Sequence, residues 1–249
     1  MTATGDIGVE AFLSTRWREA MQAALERNAG ELLSGLAHNL HNYAHSFSMQ
    51  MELLNNAWQR NPKSPLWSQK RSFERMTAFS SDFFSECSSL SDRPFYARFK
   101  PDSIDISSFL DWLQGFWRHN LFFKHHMQVD ISLAQDVPKQ VSLTPGGLLY
   151  CLEEGLKNGM ESLAGTGGSQ ENFQIYLQIA TGKEGLEFAL HTPTSLDPGI
   201  DPWQVGTSTK PDHLGLGLPL LRIGCREMGW DCRLSDDDRS TTLSFTVPQ

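Results

Sequence analysis

Gly215-Leu216-Gly217-Leu218-Pro219-Leu220-Leu221, preceded by Ser208-Thr209-Lys210-Pro211, is the stretch on which the reading of this chain turns. Two glycines alternate with leucines, and Leu218, Leu221 and Ile223 follow at helical spacing, so a loop opens here into a helix. The first N–H groups of such a helix lack partners within it and carry partial positive charge, which suits a phosphate group. Glycine lets an anion approach closely because no Cβ intervenes. Lys210 and the hydroxyls of Ser208 and Thr209 supply further donors to the same anion.

Upstream, Thr144-Pro145 is a helix start, with Thr as cap and Pro in the first turn. The helix then places Leu149, Leu152, Leu156 and Leu163 on one face and ends near Gly165. Glu154 and Asn158, four apart, share a different face, flanked by Cys151 and Glu161. A carboxylate and an amide on one helix edge can hold a hydrated Mg²⁺, an ion that wants oxygen ligands and keeps waters. The plain alternative is a solvated polar face. Around this helix, Val129-Asp130-Ile131-Ser132-Leu133, Phe173/Ile175/Leu177/Ile179, Leu186/Phe188/Leu190 and Leu243/Phe245/Val247 alternate like half-buried strands. Residues 110–123 read as a helix rich in aromatics, and Asp236-Asp237-Asp238-Arg239 as a solvated turn. Strands mixed with helices predict an α+β sandwich, a mixed sheet covered by helices on one face.

The N-terminal third has another character. Leu33, Ala37, Leu40, Ala44, Phe47, Met51, Leu54 and Trp58 are spaced alternately by four and three, a heptad seam that predicts one long helix over about 9–58. Asn61-Pro62-Lys63-Ser64-Pro65 is a turn signal, and a second seam follows at Phe73, Met76, Ser80, Phe83, Cys87 and Leu90. Two helices joined this way form an antiparallel hairpin. One hairpin leaves apolar surface exposed where two complete a four-helix bundle, so a homodimer is expected. The character changes near Ser91-Asp92-Arg93-Pro94, which divides the chain into a helical unit, 1–92, and a sheet-containing unit, 93–249.

Composition bounds the function. No apolar run approaches the ~18 residues that span a bilayer, and the N-terminus lacks the basic-then-apolar form of a signal peptide. A formal net charge of −8 with no basic block speaks against nucleic-acid binding. Cys87, Cys151, Cys225 and Cys232 show no metal-type spacing and read as reduced core thiols of a soluble, cytoplasmic protein. His38, His41 and His45 line one helical edge, but a single helix rarely closes three ligands around one ion.

The stretch Leu148-Leu149-Tyr150-Cys151-Leu152-Glu153-Glu154-Gly155-Leu156-Lys157-Asn158-Gly159-Met160-Glu161-Ser162 resembles the asparagine box of the ATPase superfamily shared by histidine kinases, DNA gyrase and a heat-shock chaperone. Residues 203–210 resemble the phenylalanine box of that superfamily, residues 213–218 its second glycine box, and Ser240-Thr241-Thr242-Leu243-Ser244-Phe245 its closing strand. The similarity covers about 102–249. It implies that Asn158 binds Mg²⁺ with Glu154 beside it, and that Lys210, Gly215 and Gly217 bind the phosphates of ATP. Leu36-Ala37-His38-Asn39-Leu40-His41-Asn42-Tyr43 is similar to the histidine box on the first helix of the dimeric hairpin, which aligns His38 with the phosphoacceptor. The heptad frame places His38 one step off the seam and facing solvent, where a neutral ring nitrogen is free to attack.

Two positions depart from that pattern. The residue after the phosphoacceptor is ordinarily an acid that takes the ring proton; here it is Asn39, which cannot act as a base. The strand ending Leu190-His191 should run into Asp-x-Gly-x-Gly, whose Asp accepts from the adenine amino group. Thr192 stands there instead, in Thr192-Pro193-Thr194, and the glycines are absent. A hydroxyl can accept one bond but lacks the charge, a loss of ~1.5–3 kcal/mol.

The resemblance implies a two-component histidine kinase core: ATP-dependent phosphorylation of His38, then transfer to the receiver domain of a response regulator. Input would come from a partner or from the short segment before Leu36. The alternatives are an ATP-independent histidine phosphotransferase that keeps the dimer and His38, and a non-catalytic scaffold with a degenerate ATPase-like domain.

Overall fold

In the computed structural model, residues 3–63, 69–165, 172–197, 199–208, 210, 213–237 and 239–249 are described. Ser64, Pro65, Thr209, Pro211 and Asp238, which figured in the sequence reading, lie outside them.

The heptad pattern produces α1, Ala3–Arg60, a helix of 58 residues and hence roughly 85 Å long. It bends at Arg16, where φ and ψ leave the helical region. Beside the bend, the Thr15 hydroxyl donates to the Ala11 and Phe12 carbonyls, a back-bonding that draws carbonyls out of the ladder. α2, Lys70–Tyr96, returns antiparallel to the second half of α1 and carries Pro94 in its last turn. The helix therefore does not stop near residue 91, because its closing turns are held by packing on the sheet-containing unit.

The face that α1 turns to α2 is rotated from the predicted seam. Leu36 and Gln50 are buried and Leu40, Tyr43, Leu54 and Ala57 half-buried, whereas Leu33, Ala37, Ala44, Met51 and Trp58 remain exposed. The hairpin thus uses one flank of the apolar face and leaves the other open.

The first half of α1 does something the heptads do not announce. Leu13, Trp17, Met21 and Leu25 recur every fourth residue and, with Leu32, join the buried core of the C-terminal unit. They pack chiefly on α6, Gly217–Glu227, and α5, Pro145–Gly165. Residues before about 33 therefore belong physically to the sheet-containing unit as much as to the hairpin.

In that unit, β1 (Asp102–Asp105) pairs antiparallel with β3 (Gln140–Leu143) in a small sheet of its own. The single helix expected over 110–123 is two: α3, Ile106–Trp117, and α4, Leu121–His126. Asp105 and Asn120 each accept a backbone N–H at the start of one, and such caps begin new helices. The main sheet runs β2-β4-β5-β7-β6, with β2 (Met127–Leu133) parallel to β4 (Phe173–Gly182). β5 (Gly185–Thr192), β7 (Thr241–Val247) and β6 (Asp231–Asp236) continue it antiparallel. Asp236 is thus the end of a strand, one the sequence reading did not mark. Ile175, Leu177, Phe188, Leu190, Leu243 and Phe245 point inward under the helices, and Phe188 stacks on Phe245 at 4.9 Å. Each such side chain contributes about 1.5–3 kcal/mol by burial. The architecture is the expected α+β one, a helical hairpin joined to a mixed sheet with covering helices.

Cys151 and Cys225 are buried in this core, but Cys87 and Cys232 are only half-buried; all four are free.

Candidate functional site

Helix α5 carries three stripes. Leu148, Leu149, Leu152 and Leu156 enter the core, Glu153 and Lys157 turn to α1, and Glu154, Asn158 and Glu161 face the loop that leads into α6. Spacings of four and three put the last set on one edge.

Glu154 is 4% exposed, and its Oε1 has no hydrogen-bond partner among the described residues. Burial pushes its carboxyl up from the ordinary value, against the pull of Lys157 and Arg27. Gly217 lies directly on it, since a Cβ there would overlap Glu154 Oε2. The Tyr150 hydroxyl donates to the Gly217 carbonyl at 3.2 Å. The start of α6 therefore sits on the acid of the asparagine-box stretch. Among the described residues no side chain caps that helix start, which leaves its first N–H groups available to a ligand.

Lys210 bridges the remaining members. Its ammonium donates to Glu161 Oε2 at 2.5 Å and lies 3.5 Å from Asn158 Oδ1. His213 Nε2 approaches Glu161 Oε1 at 3.7 Å. The Lys210 N–H donates to the Ser208 hydroxyl. The loop closes because Gly215, at φ +61°, takes a left-handed conformation and its carbonyl accepts from Gly206. Glu154, Asn158, Lys210 and Gly217 are thus gathered in one place, with Gly215 in the adjoining turn.

Thr192, at the end of β5, is buried against Gly159, one residue past Asn158. Its hydroxyl donates to the Thr241 carbonyl at 3.3 Å and lies 3.1 Å from the Thr194 hydroxyl. Its proton is committed, which leaves only a lone pair to offer a ligand.

His38 is exposed on α1, as its position beside the seam predicted. Its neighbour Asn39 points the other way and meets His119 Nδ1 at 3.2 Å. His41 and His45 stack, ring centroids 6.4 Å apart, and no group of three metal-ligating side chains occurs among the described residues.

The sequence reading missed the residues that join the two units. Arg93 binds Glu153 with both η nitrogens, at 2.6 and 3.2 Å, and donates to the Leu25 carbonyl. Asn28 donates to Glu153 and accepts from Lys157, which also pairs with Glu31 at 2.7 Å. Glu153 is fully buried, Arg93 nearly so. One signal was available: Asn28 interrupts the apolar row of Leu13, Trp17, Met21, Leu25 and Leu32.

No protein-family model matches this chain, and no curated protein matches its sequence. Solved structures do. The catalytic domain of histidine kinase ThkA, in a nucleotide-free form, superposes with a TM-score of 0.50 at 12% identity, over 60% of this chain and 95% of that one. A mycobacterial sensor histidine kinase, MprB, gives 0.47 at 15% identity over 60% of this chain and 97% of that one. Full-length ShkA in complex with AMPPNP gives 0.48 at 15% identity, over 97% of this chain and 47% of that one. Among the described residues no helix is long and apolar enough to cross a membrane. This chain carries the fold of histidine-kinase catalytic domains.

Proposed function

We propose that the chain is a two-component histidine kinase-like protein that binds ATP·Mg²⁺ at Asn158, Lys210, Gly215 and Gly217 and phosphorylates His38. The observation that carries this reading is the pair of buried polar atoms without partners among the described residues, Glu154 Oε1 and Asn158 Nδ2, beside a helix start that no described side chain caps and a lysine. Buried polar groups are nearly always hydrogen-bonded, so two orphans on one helix edge fit a ligand. The donor set fits Mg²⁺ as well: the Asn158 amide oxygen is a hard ligand, and an ion there would supply charge neutralisation for the phosphates. Glu154 would stand beside it, and Thr192 would offer the adenine amino group a lone pair.

The proposed organisation is a helical dimerisation and phosphoacceptor unit, 1–92, and an ATPase-like unit, 93–249, with α1 reaching back over α5 and α6. The open flank at Leu33, Met51 and Trp58 supports a homodimer. Phosphate would pass from His38 to an Asp of a response-regulator receiver domain, and the free thiols support a cytoplasmic setting. His38 stands seven residues beyond Glu31, the partner of Lys157, and so roughly 10 Å along the axis from α5.

One observation favours the ATP-independent phosphotransferase as second reading: Thr192 and Lys210 already have partners inside the protein. Calorimetry with ATP·Mg²⁺ separates the two. Binding heat that disappears in Asn158→Ala supports the nucleotide reading. Heat absent from wild type, together with labelling of His38 by a phosphorylated receiver domain, supports the phosphotransferase.

A further inference from the structure

The histidine box departs from its pattern at Asn39, and the fold gives that position a partner. Asn39 and Gly35, one turn apart on α1, both face His119 in the bend between α3 and α4. Gly35 meets its main chain: a Cβ there would overlap the His119 carbonyl oxygen, so only glycine lets α1 approach this closely. Asn39 meets the ring, Nδ2 to Nδ1 at 3.2 Å. On the far side His119 Nε2 lies 2.9 Å from Glu86 Oε2 of α2, close but off the line of a hydrogen bond. Tyr43 of α1 also faces Glu86, and burial together with the Glu86 charge pushes its hydroxyl's pKa up. The imidazole is 3% exposed and stands edge-on to Phe116. One buried ring of the sheet-containing unit therefore touches both helices of the hairpin.

Successive residues on a helix differ by about 100° in direction. With Gly35 and Asn39 held inward against His119, His38 is turned outward. We infer that His119 is a positioning residue for His38: it docks the α3–α4 corner on α1 and fixes the rotation at which the phosphoacceptor faces a donor. This rests on the assignment of His38 as acceptor.

The same contact explains why an amide occupies position 39. A neutral His119 ring with its proton on Nε2 turns that N–H towards Glu86 and accepts at Nδ1 from Asn39. A protonated ring is served by the same amide turned over, with Oδ1 accepting. An aspartate would set a second carboxylate against the ring and hold it as imidazolium. As the protein stands, burial pushes the ring towards its neutral form; Glu86 opposes this and Lys124 of α4 reinforces it.

The full chain is compared as wild type, His119→Gln, Gly35→Ala and Asn39→Asp. Amide hydrogen exchange over 36–42 should quicken roughly tenfold in His119→Gln and in Gly35→Ala while 50–57 keeps its protection, because only the docked turn is released. The His119 ring titration, followed by NMR, should move up by about one unit in Asn39→Asp. Labelling of His38 by ATP·Mg²⁺ should fall roughly ten- to a hundredfold in His119→Gln, while labelling by phosphoramidate, a free donor needing no docked domain, keeps its wild-type rate. General destabilisation would slow both donors alike. Exchange unchanged in both docking variants and a His119 titration indifferent to position 39 would overturn the inference. If exchange and titration respond but no donor labels His38 in wild type, the docking stands and the phosphoacceptor assignment falls.

Discussion

Arg93, near the end of α2, makes a bidentate ion pair with Glu153, which lies on the same helix as the candidate nucleotide residues Glu154 and Asn158. The guanidinium lies over the Phe116 ring at 4.5 Å and also donates to Leu25 of α1. Four helices from both halves of the chain, α1, α2, α3 and α5, thus meet at one buried charge pair.

Removing one member leaves the other charged and unpaired. Arg93→Ala is expected to cost about 3–5 kcal/mol of unfolding free energy, whereas Arg93→Met combined with Glu153→Leu should recover much of it. Urea denaturation checks this; equal loss in the single and double variants would show that the pair is not what couples the halves.

That pair also marks how far the sequence could be read. The helix–strand order of the C-terminal unit was legible because Phe173/Ile175/Leu177 and Leu149/Leu152/Leu156 keep strict periods of two and of three to four. The gathering of Asn158, Lys210 and Gly217 was anticipated from motif order, not from spacing, since 52 residues separate Asn158 from Lys210. The docking of α1 was not legible. Its row of Leu13, Trp17, Met21 and Leu25 reads equally well as bundle core, and nothing local says which surface will cover it. Arg93 and His119 escaped for a related reason: a charged or polar residue becomes buried only when distant partners arrive, and local patterning does not record them. The rotation of the α1 seam has its own cause. A helix in a bundle shows a wide apolar face, and the heptads do not say which flank meets the hairpin partner.

The open flank of α1 makes oligomerisation testable. Light scattering at micromolar concentration should give a dimer, and Leu40→Asp should give a monomer, since Leu40 lies between the two flanks and a charge there would be buried without a partner. A monomeric wild type would remove the bundle.

Glu154 links stability to pH. Its folded-state carboxyl titrates above its ordinary value because it is buried, so between those values the native state holds the proton more tightly than the unfolded chain. The contribution is full below the unfolded value and is lost as pH rises through the folded one. Glu154→Gln should therefore melt at a higher temperature than wild type at pH 7, with the gap closing towards pH 4. A gap that widens on acidification would mean that the carboxylate, not the acid, is the favoured form.

The adenine contact is the weak point of the nucleotide site, since Thr192 lacks the charge of the expected acid. ATP·Mg²⁺ should bind in the ~0.1–1 mM range, an otherwise micromolar site short of one charged hydrogen bond. Thr192→Asp should tighten it roughly tenfold or more by restoring the charged acceptor. Calorimetry showing equal affinity in both proteins would place the adenine elsewhere.

The most direct test of the account is incubation of the purified chain with γ-labelled ATP and Mg²⁺, in wild type and in His38→Gln. The expected result is slow, acid-labile labelling of wild type, none in His38→Gln, and labelling retained in His41→Gln and His45→Gln. Undiminished labelling of His38→Gln, or a wild type that takes no label from ATP, would contradict it.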